Sequence, residues 1–260
     1  MTNNEDFITK VEDIGWEKRL AHRTVGMKPS FIREILKFTA NPEIISFAGG
    51  LPAPDFFPIR EFAEACQYVL QTNGEQALQY GPTEGYPPLS QFIAEMLSKY
   101  GILVETENII MTNGSQQALD LIGKLFVNPS DCMITSAPTY LGALQAWEAY
   151  EARFCPLSID EDGMIIDDLP AILESDHDHK LIYVLPNFHN PGGTTMPLER
   201  RERLVEIARE HDLVIIEDDP YGELRYEGEY ITPIFRLAPE RTIYLSTFSK
   251  TLTPGIRLAY

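Results

Sequence analysis

The sequence predicts an α/β fold, a mainly parallel sheet with helices on both faces. Three observations predict it. From Asn108 onward, short apolar runs alternate with stretches whose apolar residues recur at helical spacing. Two of those runs, Leu181-Ile182-Tyr183-Val184-Leu185 and Leu213-Val214-Ile215-Ile216, lack the in-out alternation of a half-solvated strand and read as strands buried on both faces. The runs also end in clusters of Gly, Pro, Asn and Asp, at the edge where open α/β sheets hold their ligands.

The totals bound the function. With 260 residues, 44% hydrophobic and 23% charged, the chain can bury a sizeable core. Its formal net charge of -18 repels phosphate backbones, so no nucleic-acid partner is expected. No apolar run approaches a membrane span and the first residues are polar and acidic, so no membrane partner is expected and the protein is placed in the cytoplasm. Cys66, Cys132 and Cys155 are an odd number without metal spacing and read as reduced structural thiols; no metal is expected.

Taken in order, residues 1–45 are an arm with one short helix, Phe31 to Leu36, and residues 46–260 form the main domain. After the run Ile44-Ile45-Ser46-Phe47, Ala48 to Pro54, with two glycines and two prolines, is a shaped loop. Ile59 to Asn73 is a helix closed by Asn73-Gly74. Leu78 to Tyr86 is a second Gly-Pro loop, in which Tyr80 reads as a half-buried packing residue. Leu89, Phe92, Ile93, Met96, Leu97 and Tyr100 mark an amphipathic helix. Asn108 to Thr112 is a strand that turns at Asn113-Gly114-Ser115-Gln116 into a helix; such a start is either an ordinary serine cap or a ready anion site. Cys132 to Thr135 is a strand, Tyr140 opens the next helix, and Ala152 to Leu157 is another strand. Asp160 to Gly163 is a turn and Asp167 to Glu174 a helix. The strand Leu181 to Leu185 ends at Asn190-Pro191-Gly192-Gly193. After the helix Leu198 to His211, the strand Leu213 to Ile216 closes on Glu217-Asp218-Asp219-Pro220-Tyr221. A last strand, Thr242 to Leu245, leads into Ser246-Thr247-Phe248-Ser249-Lys250, with Arg257 seven positions on. A lysine crowded by small hydroxyl residues is either a surface loop or an amine prepared for covalent chemistry.

Ser249-Lys250 followed by Pro254-Gly255-Ile256-Arg257 resembles the imine-lysine segment of fold-type I pyridoxal-phosphate aminotransferases of class I and II, and within them the 2-aminoadipate and kynurenine subgroup. The resemblance runs from about Ser46 to Tyr260, with its motifs in the family's order. It implies the large domain of that fold, pyridoxal 5'-phosphate as cofactor, and transfer of the α-amino group of an L-amino acid to a 2-oxo acid, 2-oxoglutarate above all, through a Lys250 aldimine. Residue by residue, it implies a phosphate cradle of Gly114, Ser115, Gln116, Thr247, Ser249 and Arg257, with Tyr140 stacked on the ring. Asn190 and Tyr221 would bond the ring oxygen, and Asp218 the ring nitrogen. Asp219 is disfavoured because successive strand positions point opposite ways. Gly50 and Asn190 would meet the substrate. Tyr80 would reach the cofactor phosphate of a neighbouring subunit, implying a homodimer. Gly192 stands where the family's turn carries Thr or Ser.

The family continues into a small C-terminal domain that supplies an arginine for the substrate carboxylate, and this sequence has no residue in that place. The expectation is therefore a domain incomplete at its C-terminal end, which by itself binds cofactor weakly and transfers amines poorly or not at all. A pyridoxal-phosphate lyase would share nearly all of these residues; ammonia instead of keto acid among the products would mark it. A binding domain without turnover is a further alternative, although residues 1–45 are too short and too acidic for the helix-turn-helix of aminotransferase-like regulators.

Overall fold

The computed structural model describes residues 15–26, 44, 50–175 and 178–260. The expected helix at Phe31 to Leu36 lies outside the described residues, as do Ala48 and Gly49 at the start of the loop that runs to Pro54.

Helix α1 is Ile59–Ala77 and α2 is Pro87–Ser98. Strand β1, Thr112–Asn113, leads into α3, Ser115–Phe126; β2 is Cys132–Ala137 and α4 is Leu141–Glu148. Strands β3, Arg153–Asp160, and β4, Gly163–Met164, form a tight hairpin, followed by α5, Leu169–Leu173. Then come β5, His179–Val184, α6, Leu198–Glu210, β6, Val214–Asp218, and α7, Ile234–Leu237. Strands β7, Thr242–Leu245, and β8, Leu258–Ala259, complete the order.

The main sheet has six strands in the order β4-β3-β2-β5-β6-β7, parallel except for the antiparallel β3–β4 pair. Its two faces are covered, as the unbroken apolar strands require. Ile182, Val184, Ile215 and Ile134 pack on one side with Leu204, Val205, Ile207 and Ala208 of α6. Leu181, Tyr183 and Ile216 pack on the other with Leu119 and Ile122 of α3 and Trp147 of α4. The Trp147 indole N–H donates to Leu119 O at 2.9 Å, which ties α3 to α4. After β2 the chain winds outward to β3 and then returns past β2 to β5. The direction of winding therefore reverses between β2 and β5, which opens a crevice at their carboxyl ends.

Several expected elements differ. Helix α1 continues through Asn73-Gly74 to Ala77, with Asn73 alone outside helical geometry (φ -138°, ψ 28°), so the turn residues kink the helix instead of ending it. The strand expected from Asn108 shrinks to Thr112–Asn113, because its partner is only the two-residue β8. The helix expected from Asp167 begins as a 3-10 turn at Ile166–Asp168 before α5. The thiol expectation is also corrected. Parallel pairing of β2 with β3 sets Cys132 and Cys155 on one face with Cα atoms 5.9 Å apart, and their sulfurs are joined as a disulfide, leaving Cys66 as the free thiol. No helix among the described residues is long and apolar enough to cross a membrane.

Candidate active site

The lysine loop is built as a pinned hairpin. Ser246 and Tyr260 exchange both backbone hydrogen bonds at 3.0 Å, and Phe248 N–H donates to Leu258 O at 3.1 Å. Lys250 sits on the loop so closed, which supplies the rigid stem that a nucleophilic amine needs. Its Nζ lies 3.4 Å from Gly50 O and 5.8 Å from the centre of the Tyr221 ring. Burial lowers the Lys250 pKa, which favours the neutral amine.

The same hairpin brings two more segments together. Strand β8 pairs antiparallel with β1, Asn113 opposite Leu258, so Arg257 lies beside the start of α3. Arg257 has a left-handed backbone (φ 56°), and its Nη2 reaches Asn113 O at 3.3 Å. A Cβ on Gly114 (φ 78°) would collide with this guanidinium, so glycine is required both for the turn and for the arginine. Ser115 opens α3, and its buried Oγ has no partner among the described residues. Thr247 Oγ1 accepts the Ser249 N–H at 3.1 Å and lies 2.8 Å from Ser249 Oγ. Gln116, counted with the phosphate cradle, turns its side chain away: Nε2 donates to Gly142 O at 2.8 Å. Only its backbone at the helix start remains for an anion.

Asp218 ends β6 and is 3% exposed. Tyr183, across the β5–β6 pair, donates its hydroxyl to Asp218 Oδ2 at 2.6 Å, whereas Oδ1 is buried with no partner among the described residues. Burial pushes the Asp218 pKa up to about 7, against the lowering by the Tyr183 hydrogen bond. Asp219 faces away, accepting the Gly222 N–H at 2.9 Å and the Tyr244 hydroxyl at 3.3 Å. Asn190 Nδ2 donates to the Tyr221 hydroxyl at 3.4 Å. Tyr140 caps α4 with its ring over Gly142, where any Cβ would strike it. Burial, and next the nearby Asp218 charge, raise its phenol pKa.

Lys250, Tyr221, Asn190, Asp218, Tyr140, Ser115 and Arg257 thus converge on the carboxyl edge of the sheet around the β2–β5 reversal. Tyr80 does not: at 99% exposed it projects from the surface. Sequence reasoning missed five supporting residues. Tyr183 looked like one more apolar strand position, although a buried phenol needs a partner. Thr139, next to Tyr140, keeps a buried Oγ1 without a partner among the described residues. Ser136 and His189 bond each other at 2.8 Å. Arg201, fully buried in α6, donates to Pro186 O, Asn187 Oδ1, Met196 O and Thr232 O, and so anchors the loop after β5. Away from this edge, ligand atoms of Cys132, Cys155 and His179 lie within 4.8 Å of one another, but the sulfurs are bonded together.

Comparison with known proteins bears on this geometry. The family model for "Aminotransferase class I and II" matches residues 43–260. The chain is 46% identical to aromatic-amino-acid aminotransferase 1 of Thermococcus litoralis, over 95% of this chain and 61% of that protein. It is 41% identical to 2-aminoadipate transaminase of Thermus thermophilus, over 96% of this chain and 62% of that protein. Among solved structures, kynurenine aminotransferase of Pyrococcus horikoshii in complex with PMP superposes with a TM-score of 0.88 and 42% identity, covering 94% of this chain and 62% of that one. The chain therefore spans about three-fifths of the length of these relatives.

Proposed function

Because this chain belongs to the class I and II aminotransferase family, we propose that it binds pyridoxal 5'-phosphate at this edge and uses it to move an α-amino group from an L-amino acid to a 2-oxo acid. The observation that carries the reading is Asp218: a buried carboxylate with one oxygen fixed by Tyr183 and the other without a partner among the described residues. A buried carboxylate in that state is costly unless it meets a cationic hydrogen-bond donor. A protonated pyridine nitrogen is such a donor, so the residues fit the group. The Ser115 Oγ at the head of α3, buried without a partner among the described residues and near Arg257, suits the phosphate in the same way.

When bound, the cofactor supplies an electron-withdrawing ring that stabilises negative charge at the substrate α-carbon. Asp218 would hold a proton on the ring nitrogen, Tyr140 would pack against the ring, and Asn190 with Tyr221 would bond the ring oxygen. Lys250 would hold the cofactor through Nζ, and its half-buried amine, whose lowered pKa favours the neutral form, would take up the substrate α-proton and give it back. Gly50, whose carbonyl lies against Lys250, would meet the substrate. The relatives' names support aromatic amino acids and 2-aminoadipate as donors, and 2-oxoglutarate is the proposed acceptor.

The proposal includes a homodimer. No residue of α1 is buried, and Ile59, Tyr68 and Leu70 on it are more than half exposed, as are Leu78 and Tyr80 just beyond. An apolar surface of that extent calls for a partner, and Tyr80 on it would be offered to the second copy. The activity is tested by incubating the protein with cofactor, 2-oxoglutarate and aromatic or 2-aminoadipate donors and measuring glutamate. Glutamate is expected from the parent and at least a thousandfold less from Lys250→Ala, since the covalent step is lost. Ammonia release without glutamate would overturn the reading.

A further inference from the structure

We infer that His189 is a positioning residue for Asn190, acting through a neutral imidazole that bridges the end of β2 to the turn after β5. The inference rests on the reading that Asn190 serves the cofactor ring oxygen. His189 is only 4% exposed. Its Nδ1 lies 3.0 Å from the Gly192 backbone nitrogen and its Nε2 lies 2.8 Å from Ser136 Oγ. A backbone amide can only donate, so Nδ1 must be the acceptor. The ring is then neutral, carries its proton on Nε2 and donates it to Ser136. Burial lowers the His189 pKa, in the same direction.

The turn is closed on this ring from both sides. His189 N–H donates to Thr194 O at 2.8 Å, and Phe188 N–H donates to Thr195 Oγ1 at 3.2 Å. Asn190 lies between the two anchored residues His189 and Gly192, so the direction of its amide follows the ring. Gly192 is explained by the same contact. A Cβ there would lie 2.9 Å from Nδ1 and 2.9 Å from Ile159 Cδ1, so a Thr or Ser at this place would push the imidazole out of reach of the amide. The departure of this turn from the family pattern and the buried histidine are thus two parts of one arrangement.

The test uses the chain without cofactor first. In 15N-histidine spectra, with His189 assigned through its loss in His189→Gln, the expected result at neutral pH is the neutral tautomer protonated on Nε2; a cation or a proton on Nδ1 overturns the inference. The Asn190 side-chain amide signals should move to exchange-averaged positions in His189→Leu and stay near the parent's in His189→Gln, whose amide can make both bonds. Pyridoxal 5'-phosphate is then titrated. His189→Leu should bind about tenfold more weakly, with a displaced absorbance maximum, and His189→Gln within about threefold of the parent. If Gln fails as badly as Leu, or Leu leaves the Asn190 signals unmoved, the positioning role is wrong. Should His189→Leu not fold, Ser136→Ala, which keeps the ring and removes one bond, must shift the Asn190 signals in the same direction. If the parent takes up no cofactor, the proposed function fails, and the Asn190 signals still decide the role of His189.

Discussion

Asp218 ionises in the folded chain only against the cost of its own burial. An aspartate in an unfolded chain titrates near 3.9, and Asp218 is raised to about 7, first by desolvation. Between those values the folded state binds the proton more tightly than the unfolded one. Stability therefore falls as pH rises through that window and stays reduced above it. Asp218→Asn removes the ionisation and keeps an acceptor for Tyr183. In thermal melts of the cofactor-free protein it should be more stable than the parent above about pH 7, by on the order of 2–4 kcal/mol, with the gap closing towards about pH 4. A pH-independent gap would contradict the burial argument. Asp218 itself was legible in the sequence, because it closes an apolar strand and stands three positions before Tyr221. Tyr183 was not, because in a strand buried on both faces every position is apolar in body and nothing marks the one whose hydroxyl meets the carboxylate.

At the scale of elements, the strands were readable because unbroken apolar runs mark burial on both faces, and the helices because their period determines which face is buried. Among the misread elements, strand β1 exists only through its distant partner β8, whereas α1 runs through a local turn signal at Asn73-Gly74 that only kinks it. The join between β1, α3 and the lysine hairpin is also where the phosphate cradle is made. Gly114→Ala there would strain a φ of 78° and displace Arg257. It should weaken pyridoxal 5'-phosphate binding by roughly 10- to 100-fold while leaving pyridoxal, which lacks the phosphate, nearly unaffected. Parallel titrations check this; equal losses for both would place Gly114 outside the cradle.

For the whole molecule, charge and exposed apolar surface oppose each other. A formal net charge of -18 keeps copies apart, whereas α1 and its neighbours present exposed aromatic and aliphatic side chains. Sedimentation should find self-association that tightens as salt screens the charge and that Tyr68→Glu weakens by about tenfold or more; a monomer at every salt concentration would contradict the homodimer. This surface could not be read from the sequence, because exposure of an apolar helix depends on which packed neighbours it lacks. The candidate site residues, by contrast, stood out as motifs whose convergence needed the fold: Asp218 from β6, Asn190 after β5, Tyr140 after β2 and Lys250 beyond β7. The most direct test of that convergence is borohydride reduction of the protein with pyridoxal 5'-phosphate, followed by peptide mass mapping. The phosphopyridoxyl group should be found on Lys250, and a label on any other lysine, or on none, would contradict the site described here.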